Sequence, residues 1–228
     1  MPAVEPGMLV EVWSDVVCPW CYIGKRRLET ALAGFEQGDG VEVRWRSFEL
    51  DRHAPAEHHG RYDERLAAKY HTSVDEAQAM IARMVGAAAA EGIDMRFDLA
   101  RPGSTFDAHR VLHLAARHGV QAELKERLLA ATFTEGRPIG NRGTLRELAT
   151  EVGLDGRTVA ELLAGDELAS EVRADEAEAA RLGITAVPFF VVDRRYGVAG
   201  AQGPDVLLEV LRRAWAERTP APSAFPST

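Results

Sequence analysis

The sequence predicts an α/β protein in which a four-stranded mixed sheet is interrupted by a large all-helical insertion. Three observations predict this. Alternating strand patterns flank a helical period at the start, giving β-α-β over residues 8–50. Helical periodicity then runs almost throughout from about 62 to 182, within an insertion domain over residues 51–183. Strand patterns return at 184–217 and close with one amphipathic helix, giving β-β-α. Residues 218–228, rich in Pro, Ser and Ala, read as a disordered tail.

Residues 8–14 alternate and are rich in strand formers. Pro19 suits a first helical turn, and Ile23, Leu28, Ala31, Leu32 and Phe35 recur at helical spacing until Gly38. Residues 41–48 alternate again, so the first two strands should run parallel through a right-handed crossover. In the insertion, Ser73 and Glu76 have capping-box spacing ahead of a helix over 74–90. Further helices are expected over 105–118, 121–134, 157–164 and 167–182, with Thr144 and Glu147 as a second capping box between them. Phe189–Val192 and Tyr196–Ala199 read as a hairpin, and 204–217 as the last helix.

Composition narrows the function. The chain has 228 residues, is 46% hydrophobic and carries net charge −8. Without a basic patch, nucleic acid is excluded as a partner. No run approaches the roughly 18 apolar residues of a membrane span, and no secretory signal is visible, so a soluble, cytoplasmic protein is expected. The only two cysteines, Cys18 and Cys21, are too close together for a structural framework and read as a redox pair.

Cys18 falls where a strand ends and a helix begins. Backbone N–H groups and the helix dipole there should hold its thiol below the free value of about 8.5. Cys21 follows one turn later, placed to resolve a mixed disulfide on Cys18. Pro19 and Trp20 lie between them, and the exposed Trp20 is expected to touch substrate. Pro188 opens the third strand; the residue pattern favours a trans strand-starter, with a cis Val187–Pro188 bond as the alternative.

The run Asp15-Val16-Val17-Cys18-Pro19-Trp20-Cys21-Tyr22-Ile23-Gly24-Lys25 resembles the active-site opening of DsbA-family oxidoreductases, specifically the FrnE-like branch. Ser104–Arg110, Phe133–Arg137, Val187–Val191 and Gly200–Gln202 resemble further segments of that branch. The resemblance implies a thioredoxin-like fold, Cys18 as exposed nucleophile and Cys21 as resolver. It implies a cis Pro188, with the Val187 backbone holding an extended substrate, and it places Thr105, Phe106 and His109 near the cleft. Two departures stand out. Many thioredoxins carry a buried carboxylate six residues before the nucleophile; here that position is Val12, beside Glu11, which leaves the Cys21 proton acceptor open. The further cysteine pair of some FrnE-like proteins is missing.

The expected activity is thiol–disulfide exchange or disulfide isomerisation on protein or peptide thiols. The expected redox group is the Cys18–Cys21 disulfide, with no cofactor or metal, and a glutathione-like thiol is a candidate cosubstrate. The alternative is a glutathione-dependent small-molecule enzyme resembling 2-hydroxychromene-2-carboxylate isomerases or kappa-class glutathione transferases, with polyketide biosynthesis as one setting. Monomer and homodimer both stay open. His53, His58 and His59 read as a polar loop, and His109 and His113 as ordinary helix residues. Trp13, Trp45 and Trp215 read as packing, and the acidic run Glu171–Glu178 as a solvated helix face.

Overall fold

Met8, Val10 and Val12 alternate with Glu11 and Trp13, and all five are buried, so β1 (Met8–Ser14) is an interior strand with both faces covered. The computed structural model describes residues 7–218. β1 pairs in parallel with β2 (Val41–Ser47) and antiparallel with β3 (Phe189–Val192), which pairs antiparallel with β4 (Tyr196–Ala199); the order is β2-β1-β3-β4. The parallel pair is joined by α1 (Pro19–Ala33) and a short 3-10 turn at Gly38–Gly40. Seven helices lie between β2 and β3: α2 (Tyr62–Tyr70), α3 (Val74–Ala90), α4 (Phe106–Arg117), α5 (Gln121–Phe133), α6 (Arg142–Glu151), α7 (Gly156–Ala164) and α8 (Ala169–Arg181). α9 (Pro204–Ala216) closes the described fold. The α/β class and the mixed four-stranded sheet are as the sequence predicts. The tail expected over 218–228 lies, apart from Arg218, outside the described residues.

Each face of the sheet has its own cover. Val10, Val12, Phe190 and Val192 pack against Leu28 of α1 and Leu207 and Leu211 of α9. Trp13 and Val191 pack against Ala179 of α8, and Trp13 Nε1 donates to the Asp175 carbonyl at 2.9 Å. The helical block has a core of its own from α4, α5, α6 and α7, including Val111, Leu128, Leu148 and Leu162. It also reaches α1. Tyr22 and Ile23 pack with Met84 and Ala88 of α3 and with Leu129 and Phe133 of α5. Burying a Leu or Phe side chain of this kind contributes about 1.5–3 kcal/mol, so the insertion holds the cysteine-bearing helix strongly.

Two local expectations need correction. The Ser73–Glu76 capping box forms, but Thr144 caps nothing: Asn141 Oδ1 accepts the Thr144 N–H at 3.1 Å and starts α6. Asn141, three residues before the expected cap, satisfies the free N–H groups, and Thr144 falls inside the helix. The acidic run on α8 is not a solvated face. Asp175 and Glu176 are buried against β2 and the chain after it. Asp175 accepts from Ser47 N at 2.9 Å and Arg46 Nη1 at 2.9 Å, and Glu176 pairs with Arg52 and Arg173. Charge runs are usually solvated; here the carboxylates satisfy the edge of β2.

The segment after β2 is fixed from below by two glycines. A Cβ on Gly103 or Gly140 would sit 2.0 or 1.8 Å from the Ala56 carbonyl oxygen, so the chain passes between them only because both lack one. Ser104 N donates to Pro55 O at 2.7 Å and His58 N to Pro102 O at 2.9 Å. This segment becomes one wall of a cleft over the cysteines.

Candidate active site

The site begins at the N-terminus of α1. Cys18 is its N-cap, with extended backbone, and Pro19 takes the first helical position, where its missing N–H costs nothing. The Cys21 N–H donates to the Cys18 carbonyl at 3.0 Å, and the Cys18 side chain makes no capping hydrogen bond of its own. The Val187–Pro188 bond is cis, as the resemblance implies. The Cys18 Sγ lies 3.5 Å from the Val187 carbonyl oxygen, so residues 169 apart in sequence meet at this sulfur. Gly24 allows this approach: a Cβ there would sit 2.9 Å from Pro188 Cγ and 3.3 Å from Phe190 Cζ.

The expected exposure and acidity of Cys18 need correction. Cys18 is only 5% exposed and Cys21 fully buried, with Cys18 meeting the cleft through a small window. The two thiols are hydrogen-bonded and give up their protons as a pair. That hydrogen bond, burial and the neighbouring charges of Cys21 and Asp15 push Cys18 well up. Burial also raises Cys21. It is outweighed by the bond from Cys18, the Lys125 charge, the Ser14 hydroxyl and the Asp15 N–H, so Cys21 lies below its ordinary value. The Cys21 N–H at the helix start pulls Cys18 down without offsetting its rise, and the buried cation acts first on Cys21.

Around the pair is a buried ring of charge. Asp15 Oδ2 accepts the Leu50 N–H at 2.8 Å, and His109 Nε2 lies 3.4 Å from Asp15 Oδ1. Burial would raise the Asp15 carboxyl, but His109, the Leu50 N–H and Lys125 hold it below the usual range. Lys125 is fully buried and donates to the Ser14 carbonyl at 3.3 Å. Burial pushes it down to about 8 against the opposing charges of Cys21, Asp15 and Cys18. Glu11 serves elsewhere: it is buried among Arg46 and Arg194, and Val12 packs in the core on the opposite face.

Above the cysteines lies a cleft of about 830 Å³, lined by Cys18, Pro19, Trp20, Thr105 and Val187 together with α2, α3 and the segment after β2. Trp20 is 40% exposed on its rim. Thr105 therefore reaches the cleft, and His109 lies beneath it against Asp15. Phe106 is not among the lining residues; its ring sits between Arg110 and Arg173, 5.9 and 4.4 Å from the guanidinium carbons. Sequence reasoning missed Arg65, Lys69 and Arg83 on the cleft wall. Among the described residues every arginine except Arg65, Arg83, Arg101 and Arg146 has an ion pair, and Lys69 has none either. Three of these free cations thus share one cleft in an acidic protein.

A family model for the DSBA-like thioredoxin domain matches residues 9–212. The chain belongs to that family. It is similar to the crystal structure of a probable DsbA oxidoreductase from Streptomyces coelicolor, with 45% identity, TM-score 0.89 and coverage of 96% of this chain and 100% of that one. Over 201 residues it is 30% identical to the uncharacterized protein YwbO of Bacillus subtilis, covering 86% of this chain and 92% of that one. The cytosolic disulfide reductase DsbM of Pseudomonas aeruginosa, solved with GSH, shares the fold at 22% identity and TM-score 0.64, over 91% of this chain and 99% of that one. The protein is a DsbA-like oxidoreductase enzyme. Among its described residues no helix is long and apolar enough to cross a membrane.

Proposed function

We propose that this DsbA-like enzyme exchanges disulfides through a mixed disulfide on Cys18 that Cys21 resolves, and that its substrates carry carboxylates beside the reacting sulfur. The observation that carries the reading is the position of Cys18: at a helix N-terminus, 3.5 Å from the Val187 carbonyl, opening on a cleft whose other wall presents Arg65, Lys69 and Arg83, none of them held in an ion pair. Burial lowers Arg65, and the Tyr62 ring it covers at 5.2 Å offsets little of that, so an anion placed there gains a desolvated partner. A substrate sulfur above Cys18 would have its neighbouring backbone along Val187 in strand-like fashion and its carboxylates toward α2 and α3. Thr105 lines the same space, and Trp20 offers an apolar contact at its rim. Glutathione and acidic peptides both satisfy this chemistry.

Exchange with glutathione disulfide and with the neutral 2-hydroxyethyl disulfide tests it. In the Arg65→Ala/Arg83→Ala double variant, kcat/KM for glutathione disulfide falls at least tenfold while the neutral disulfide changes less than threefold. Equal losses for both, or none, would contradict anionic recognition. A Cys21→Ser variant accumulates a mixed disulfide on Cys18; a Cys18→Ser variant forms none on Cys21, which is fully buried.

A further inference from the structure

Cys21 is the resolving thiol of the proposed exchange, and it must lose a proton in a place with no exposed surface. The two carboxylates that could serve are accounted for. Glu11 is held by Arg46 and Arg194 on the sheet, and Asp15 is held by Leu50 N and faces His109. His109 faces Asp15, whereas Lys125, brought from α5 of the helical insertion, reaches the Ser14–Asp15 peptide beneath the cysteines. Its ammonium lies 5.6 Å from the Trp45 ring centre and its Nζ donates only to Ser14 O. Among the described residues no carboxylate pairs with it. Its position is fixed by the next residue: Glu126 pairs with Lys25 and Arg26 of α1 and accepts from the Tyr22 hydroxyl at 2.8 Å, clamping α5 to the cysteine-bearing helix.

We infer that Lys125 is the proton acceptor and donor for Cys21, so that the helical insertion completes the redox centre. The inference rests on the exchange reading above. In the resolving step the neutral Lys125 amine takes the Cys21 proton as the Cys21 sulfur attacks the Cys18 sulfur of the mixed disulfide. The Cys18–Cys21 bond forms, the Cys18–substrate bond breaks, and the substrate leaves as a thiolate that takes a proton from solvent. The protein sulfur pair is oxidised and the substrate sulfur reduced; reduction runs the same path backwards, with the ammonium returning its proton to Cys21. The charges facing Lys125 are Cys21, Asp15 and Cys18, which favour its proton, and Lys25, which opposes it. Burial drives the amine toward its neutral form, and once Cys18 is held in the mixed disulfide it can no longer contribute a charge that opposes this. With its value pushed down to about 8, about a tenth of Lys125 is neutral at pH 7 even before that.

The test is a single turnover. Reduced protein is mixed with a chromogenic aryl disulfide to load Cys18, and release of the second aryl thiolate by Cys21 is followed from pH 6 to 10. In Lys125→Met the release at pH 7 slows at least tenfold, and the rate converges on wild type at the alkaline end, where Cys21 ionises to solvent; a folding defect would not be repaired by alkali. Wild-type rate and pH profile in Lys125→Met would overturn the inference, while failure to load Cys18 in the wild type would instead overturn the exchange reading. A second measurement needs no variant. With only Lys25, Lys69 and Lys125 in the chain, ¹³C-lysine NMR of the wild type resolves each Cε. Lys125 titrates near 8 and at a different pH in reduced and oxidised protein; titration in the ordinary lysine range in both states would overturn the inference.

Discussion

Gly24 lets the cysteine-bearing helix α1 and the Val187–Pro188 turn approach each other, and replacing it measures that contact. A Cβ at Gly24 would stand 2.9 Å from Pro188 Cγ, 3.3 Å from Phe190 Cζ and 3.5 Å from Pro188 Cβ. Ordinary carbon contacts begin near 3.5 Å, so the proline ring must retreat by about 0.6 Å, and it has no free rotor with which to do so. Overpacking of this kind costs about 1–3 kcal/mol. A mid-helix Gly→Ala also gains about 0.8–1.0 kcal/mol of helix propensity, which masks part of the loss. Gly86 supplies the control: it lies inside α3, is exposed, and a Cβ there meets nothing within 4 Å. Urea unfolding of reduced protein should show Gly86→Ala more stable than wild type by about 1 kcal/mol. Gly24→Ala should be less stable than Gly86→Ala by about 1–3 kcal/mol, and its Cys18 should exchange more slowly because the Val187 carbonyl has moved. Equal stabilisation by both substitutions would refute the close packing of α1 on Pro188.

Other outcomes follow from the same structure. Burial raises the Asp175 carboxyl, but His113, the Ser47 N–H and Arg46 together hold it below its ordinary value. A depressed folded value means stability that is complete above the unfolded value of about 3.9 and is lost as pH falls through the folded one. Asp175→Asn should therefore cost about 2–4 kcal/mol at pH 7, with a smaller gap to wild type at pH 3; a gap independent of pH would contradict the ionised pairing. Trp20→Ala should change stability by no more than about 0.5 kcal/mol because the ring is exposed, yet weaken exchange with peptide disulfides several-fold. Unchanged peptide kinetics would remove Trp20 from the substrate contacts.

Much of this was legible in the sequence because the signals are local. Strand alternation, the Pro19 start, the Ser73–Glu76 box and the 189–199 hairpin each depend on neighbours in the chain, and each element formed near its expected bounds. The Cys18–Cys21 pair was legible for the same reason. What was hidden depends on tertiary contact. Asp175 and Glu176 read as a solvated face because helical period alone cannot show that β2 supplies Arg46, Ser47 and the chain beyond it as partners. The ordering of the two thiols follows from the hydrogen bond between them and then from Lys125, about a hundred residues downstream. One signal for it existed: Lys125 shares its helical row with Leu129 and Phe133, both fully buried, while Leu124 and Leu128 line the adjacent row. A lysine inside such a double apolar face is committed to burial. The cations of the cleft left no such trace, since Arg65, Lys69 and Arg83 differ from the paired arginines only in having no carboxylate beside them.

The central claim is that Cys18 and Cys21 act as one redox unit with unequal members. The direct measurement equilibrates the protein over a series of glutathione redox ratios, quenches with acid, alkylates free thiols and resolves the products by mass. Both cysteines should become protected together in a single two-electron transition, with Cys21→Ser instead accumulating glutathione on Cys18. Independent protection of the two thiols, or a stable glutathione adduct on Cys18 with Cys21 intact and free, would contradict the account.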